Sequence, residues 1–384
     1  RDFCLSRGLG DVYKRQRPCH GLKQSISYPQ QRTSSVTFTL TGRPFVLTIF
    51  SSNHRLHHGS ELKDGSLKPS FENPQRADTV LARVKSVGLG DVIAEQRYDR
   101  SNYVRAHSER YVTFLENAWQ EWAATGKTHD ALPLVWPVRD LAIDQEPSFI
   151  DGKLGFYAMD AGSPITSGTW EAVRSSADVA LTGIERVIDG ERGAFALCRP
   201  PGHHAAREYM GGYCYLNNAA IAAERCLSRG AKRVAILDVD FHHGNGTQNI
   251  FYDRSDVFFA SIHGDPSVSY PYFSGFADEK GVGNGEGFNA NYPLPRGTLW
   301  DTFSVALADA LKRVQAHQPE CLVISLGVDT FEHDPISHFR LTSTNFIQMG
   351  EAIAKAGIPT LFVMEGGYMV CLLYTSDAAD EEDS

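Results

Sequence analysis

The chain has 384 residues, 42% hydrophobic and 22% charged, with a formal net charge of −9. That composition suits a globular protein with a sizeable core, and the negative balance excludes an electrostatic nucleic-acid binder. Seven cysteines without a C-x-x-C pair point away from a disulfide framework in a chain this long, and no apolar run approaches a membrane span. A protein of the reducing cytoplasm is expected, with neither nucleic acid nor membrane as partner.

Residues 1–16, RDFCLSRGLGDVYKRQ, have no clean period, and residues 371–384 follow Val370 abruptly and end in an acidic run. Both are expected to be translated adaptor sequence rather than part of the fold. Residues 17–45 form an N-terminal extension set apart from the domain. The domain itself is expected over 46–370, cut short at its C-terminal side, with core-like sequence from Val46 onward.

Within it, helical patterns cover Pro74–Val87, Glu109–Ala124 and Thr169–Ile188, the last two separated by a non-periodic stretch, 125–168. Then come a strand at Phe195–Cys198, a helix at Leu216–Arg229, and strands at Val234–Val239 and Val257–Ile262. A second non-periodic stretch, 264–297, is rich in Gly, Pro and aromatics. A helix at Trp300–His317, a strand at Leu322–Leu326, a helix at Asn345–Ala356 and a strand at Thr360–Met364 complete the pattern. The strands are short, continuous apolar runs, as parallel strands covered on both faces read. Their alternation with helices predicts one doubly wound α/β domain.

Ligands bind such sheets beyond the carboxyl ends of the strands, and there the polar clusters lie. Asp238-Val-Asp240-Phe-His242-His243-Gly244-Asn245-Gly246 follows an apolar run. Asp240 and His242, two apart on an extended chain, share a face and suit a metal ion. Asp329, at the end of the next buried strand, is the best third ligand, with Asp334 as runner-up. Mixed oxygen and nitrogen donors suit zinc and tolerate iron(II) or cobalt. The adjacent histidines His203 and His204 have no hydrophobic period around them, so they read better as acid–base groups than as core residues. Asp238 and Asn245 are free to fix their tautomers. Tyr368, after Gly366-Gly367, could donate its hydroxyl to a developing oxyanion.

Together the segments RPPGHHA, GGYCYLNNAA, ILDVDFHHGNGTQ, FFASIHGDP, SLGVDTFEHDPIS and MEGGY resemble the histone-deacetylase superfamily, and more closely its acetylpolyamine amidohydrolase branch. The resemblance implies the arginase/deacetylase-like three-layer α/β fold with a central, mostly parallel sheet. It implies a zinc-dependent hydrolase that removes acetyl groups from amines such as acetylpolyamines or acetyl-lysine. Its zinc ligands would be Asp240, His242 and Asp329. His204 would be the general base and His203 its electrostatic or acid partner, paired with Asp238. Asn245 stands where the polyamine branch carries Asn, and an amide there makes His204 less basic than a carboxylate would. Tyr368 matches the transition-state tyrosine, and Gly212, Tyr213 and Phe273 match tunnel walls.

The resemblance also implies a potassium ion held by Asp238, Ser261 and Ile262 with the carbonyls of Asp240 and His242. A second alkali site would use carbonyls near Phe251, Arg254 and Val257. Asp151 and Asp160 would present acidic charge to a cationic substrate, with Gly162 standing where another acid belongs. A homodimer would form through the 140–168 loop. Two other readings remain: a binuclear manganese ureohydrolase-like enzyme, and a non-catalytic truncated homologue that binds cationic ligands. The first needs a second metal's ligands, yet Gly244 follows His243 and Thr330-Phe331 follow Asp329.

Overall fold

The structure, a computed structural model, describes residues 46–370. The expectations for residues 1–45 and 371–384 lie outside these.

The described residues open with β1 (Leu47–Phe50), then a hairpin of β2 (Ser60–Lys63) and β3 (Ser66–Pro69). Next come α1 (Pro74–Ser86), β4 (Val92–Ala94), α2 (Glu109–Ala124), α3 (Ile150–Phe156) and α4 (Thr169–Ile188). Then β5 (Gly193–Ala196), α5 (Asn218–Ser228), β6 (Val234–Asp238), α6 (Asn245–Phe251), β7 (Val257–Gly264) and β8 (Asn289–Leu294) alternate. The series finishes with α7 (Trp300–His317), β9 (Cys321–Leu326), α8 (Ser343–Lys355) and β10 (Thr360–Met364). Helix starts follow local chemistry. Asn73 caps α1 by accepting the Gln75 N–H, with Pro74 in its first turn, and Ser108 and Asn217 cap α2 and α5 likewise.

Eight strands form one sheet in the order β4-β1-β5-β10-β9-β6-β7-β8, with every pairing parallel. The period of two divides each strand between two cores. Val234 and Ile236 of β6 pack with α4 and α5, whereas Ala235 and Leu237 pack with α7 and α8. This is the expected three-layer α/β fold. The β2–β3 hairpin is antiparallel and stands apart from the sheet. Among the described residues no helix is long and apolar enough to cross a membrane.

Three sheet strands lie outside the sequence-predicted set. β4 is too short to show a period, and β1 precedes the first predicted element. β8 alternates Asn289, Asn291 and Pro293 inside the second non-periodic stretch. Its proline is tolerated because β8 is an edge strand.

Registers align the carboxyl ends of the central strands. Ala196 pairs with Val363, Met364 with Leu326, and Asp238 with both Ser325 and Ser261. The residues just beyond β5, β10, β9 and β6 therefore reach one spot.

Candidate metal centre and its cleft

The chain leaving β6 turns by local side-chain bonds. Asp238 Oδ1 accepts the Asp240 N–H at 3.0 Å, and Asp240 Oδ1 accepts the His242 N–H at 2.9 Å. From the end of β9, Asp329 Oδ1 accepts the Phe241 N–H at 2.8 Å, which leaves Oδ2 2.9 Å from His242 Nδ1. From the end of β10, the Gly366 N–H donates to Asp240 Oδ2 at 2.8 Å. A Cβ at Gly366 would meet Asp240 Oδ2 at 2.6 Å and Asp329 Oδ2 at 2.8 Å, so only glycine lets this backbone close on the two carboxylates. Asp240, His242 and Asp329 are buried, with one ligand atom from each within 4.8 Å of the others. Two buried carboxylates and one imidazole in that volume fit a divalent cation with borderline tastes. Burial alone would lower the His242 pKa, but its bonds to Asp240 and Asp329 raise it to about 10. Without a cation the cluster would thus hold a proton instead.

The turn after β5 delivers the tandem histidines. His203 Nδ1 lies 2.9 Å from Asp238 Oδ2, and His204 Nδ1 lies 2.6 Å from Asn245 Oδ1. The Asn245 amide oxygen can only accept, so His204 carries its proton on Nδ1 and keeps a lone pair on Nε2. The Asn245 amide nitrogen faces Tyr209 Oη and the His204 carbonyl, which supports that orientation. The two rings sit 4.0 Å apart at their centroids. Burial opposes charge on His203, but Asp240 and Asp238 raise its pKa to about 10. Burial and then the His203 charge push His204 well below the ordinary imidazole value. The pair is thereby split into one cationic and one neutral ring.

Tyr368 is buried, and its N–H donates to Asp334 Oδ2 at 2.8 Å. Asp334 thus anchors the tyrosine loop instead of joining the ligand cluster. Burial raises the Tyr368 pKa well above 10, so the hydroxyl stays protonated. Arg76 of α1 holds the loop. Its Nε donates to the Gly367 carbonyl at 2.6 Å, its Nη2 to the Glu365 carbonyl, and its Nη1 to Glu72 at 2.8 Å. Its guanidinium lies over the Tyr368 ring, 4.6 Å from the centroid. Arg76→Met is expected to cost about 3–5 kcal/mol of unfolding free energy, because Glu72 and two carbonyls lose a buried partner. Urea denaturation measures this; a cost under about 1 kcal/mol would show that the network is dispensable.

A cleft of about 370 Å³ opens over these groups. His204, His242 and Tyr368 line it with Gly212, Tyr213, Tyr270, Tyr272, Asp160 and Glu61. Gly212 sits at φ +55, and a Cβ there would come within 2.3 Å of His204 Cδ2. Asp160 holds the wall together: its Oδ2 accepts the Gly212 N–H at 2.9 Å and the Tyr270 hydroxyl at 2.6 Å.

Two expected wall residues fall elsewhere. Phe273 is 92% exposed, and Tyr270 and Tyr272 line the cleft in its place. The loop after β7 turns back through bonds from Tyr272 to Ser269 and from Phe273 to Pro271, which sends the Phe273 ring outward. Asp151 lies on α3, paired with Lys127 at 2.6 Å, and does not line the cleft. Asp238 and Ser261 are register partners, which puts the residues expected around potassium side by side; Ser261 Oγ lies 2.8 Å from His263 Nδ1.

Sequence reasoning missed Glu61, Arg76 and Glu365. The Glu365 carboxylate accepts the N–H groups of Gly202 and His203, which ties the histidine turn to β10. Only Glu365 lay inside a motif already singled out. His203, Cys214 and Glu365 also fall within ligand distance of one another. However, Asp238 holds His203 Nδ1, and backbone donors occupy Glu365 Oε2.

The histone deacetylase domain model matches residues 70–379. Acetylpolyamine amidohydrolase 2 of Pseudomonas aeruginosa is 61% identical over 326 residues, covering 85% of this chain and 94% of that protein. Acetylpolyamine amidohydrolase of Mycoplana ramosa is 51% identical over 323 residues, covering 84% of this chain and 94% of its own. The crystal structure of an acetylpolyamine aminohydrolase from Burkholderia pseudomallei superposes with a TM-score of 0.81 at 37% identity, over 86% of this chain and 96% of that one. With its sheet, strand-end cluster and motifs in the same chain, this protein belongs to the histone deacetylase superfamily, in its acetylpolyamine amidohydrolase branch.

Proposed function

We propose that the protein is a zinc-dependent amidohydrolase that removes acetyl groups from small acetylated amines, acetylpolyamines first among them. The observation that carries this is the placing of His203 and His204, bonded through Nδ1 to Asp238 and Asn245, beside the Asp240–His242–Asp329 cluster. Zinc held there would supply Lewis acidity toward the acetyl carbonyl and a lowered pKa for water. His204 Nε2 takes the proton of the attacking water, and His203 stays cationic between Asp238 and Asp240. The Tyr368 hydroxyl donates to the oxyanion as the carbonyl carbon becomes tetrahedral. When the C–N bond breaks, the histidine pair returns a proton to the nitrogen, and acetate and the free amine leave.

Glu61 supports a cationic substrate. Its Oε2 accepts the Tyr213 hydroxyl at 2.6 Å, while Oε1 is buried without a partner among the described residues. A buried carboxylate oxygen of that kind suits an ammonium group. The relatives named above carry acetylpolyamine in their names, which favours the same substrates here. Potassium at Asp238, Ser261 and Ile262 belongs to the proposal. So does a homodimer through the 140–168 stretch, where Leu141, Ile143 and Phe149 are exposed, with Leu134 and Val138 exposed just before it. A reducing cytoplasm suits the free thiols of Cys198, Cys214, Cys226 and Cys321, all buried.

The test is kinetic. Acetylputrescine and acetylspermidine are expected to give kcat/KM values at least about tenfold above an acetyl-lysine peptide, the factor for one added charge-assisted contact. A preference for the peptide would move the reading to a protein deacetylase.

A further inference from the structure

The charge lining the cleft changes sign within two residues. β2 carries Glu61 and Lys63, both at the cleft, and their spacing places the two side chains on the same side of the strand. Glu61 is buried, and through Tyr213 it stands one aromatic ring from Tyr368: the Tyr213 and Tyr368 centroids are 5.7 Å apart. Lys63 is only half-buried, so it lies nearer the mouth.

Among the described residues Lys63 has no ion-pair partner, and its ammonium rests over the Phe71 ring, 4.2 Å from the centroid. The next residue, Asp64, is exposed and paired with Lys68 at 3.0 Å. Across the cleft, Asp160 is committed to the Gly162 and Gly212 N–H groups and the Tyr270 hydroxyl. The cleft therefore offers one unfilled carboxylate position inside and one uncompensated cation outside it.

We propose that Lys63 selects acetylated diamines over longer acetylated polyamines, by repelling a second ammonium group that would lie beyond Glu61. This rests on the deacetylase reading above. A monoacetylated diamine places its acetamide at the metal centre and its single ammonium at Glu61. A triamine or tetraamine carries a further ammonium three or four methylenes on, and Lys63 is the cation that lines the cleft that group would leave by. The hairpin is braced there, because the Leu62 N–H donates to the Ala161 carbonyl.

The test compares the full-length, zinc-loaded protein with Lys63→Met, which keeps an unbranched apolar stem over Phe71. The kcat/KM ratio of acetylspermidine to acetylputrescine is expected to rise about fivefold in the variant, the size of one like-charge contact a few ångström apart in water. The wild-type ratio is expected to rise with salt, and the variant's ratio much less. A variant ratio equal to that of the wild type at low salt overturns the proposal. Calorimetric binding of putrescine and spermidine to both proteins gives the same ratio without turnover. If no acetamide is hydrolysed, the deacetylase reading falls, and the binding ratio still decides the role of Lys63.

Discussion

Stripping the protein with a strong chelator is expected to lower acetamide hydrolysis by at least about a thousandfold, and about one equivalent of zinc per chain to restore it. Asp240, His242 and Asp329 are buried at three strand ends with ligand atoms within 4.8 Å. Two carboxylates so confined repel each other unless a cation or a proton lies between them. Asp329 shows the strain: burial and then the Asp240 charge raise its carboxyl to about 7. Metal that binds the folded state only also stabilises it by mass action, so the stripped protein should melt at a lower temperature. Metal content measured alongside activity decides the matter. Two metals per chain with guanidino hydrolysis would establish the ureohydrolase alternative. Undiminished hydrolysis by metal-free protein would remove the metal from the mechanism.

The second large effect is expected at Tyr368. Tyr368→Phe removes one hydroxyl and leaves the ring against Tyr213 and under Arg76. The loop should hold its place, because its anchors are backbone groups: the Tyr368 N–H on Asp334 and the carbonyls of Glu365 and Gly367 on Arg76. Loss of one oxyanion donor lowers kcat by about 10²–10³ with KM nearly unchanged. Zinc content and the circular-dichroism spectrum should match the wild type. A variant that keeps its turnover on acetylputrescine would release Tyr368 from that role.

The parts of the fold that position the candidate metal cluster were legible because physics writes them as local signals. A parallel strand covered on both faces must be apolar throughout, so β6, β7, β9 and β10 stand out as short runs. Polar residues directly after such runs cannot be core, so Asp240, His242 and Asp329 were conspicuous too. β8 was hidden because an edge strand can carry Asn and Pro. Of the cleft wall, Gly212, Tyr213 and Asp160 were reached through the resemblance, and the rest was illegible. Glu61 and Lys63 lie more than a hundred residues before the histidine pair, on a hairpin with no apolar pattern. No period fixes which aromatic of Tyr270, Tyr272 and Phe273 turns inward; hydrogen bonds within the loop do that. Arg76 looks in sequence like any basic residue on a helix, and only the approach of α1 to β10 turns it into a buried anchor.

The position of β10 has a consequence for how the molecule is made. It is the last of the described strands in the chain, yet it lies mid-sheet between β5 and β9. β10 alone pairs the half-sheet of β4, β1 and β5 with the half-sheet of β9, β6, β7 and β8. Residues 360–364 pair with both halves, and such long-range pairing is of the slow kind. Asp240, His242 and Asp329 all leave the ribosome before that strand, whereas Glu365 and Tyr368 follow it. The Gly366 bond to Asp240 and the Glu365 bonds to the histidine turn can therefore form only once β10 is in place.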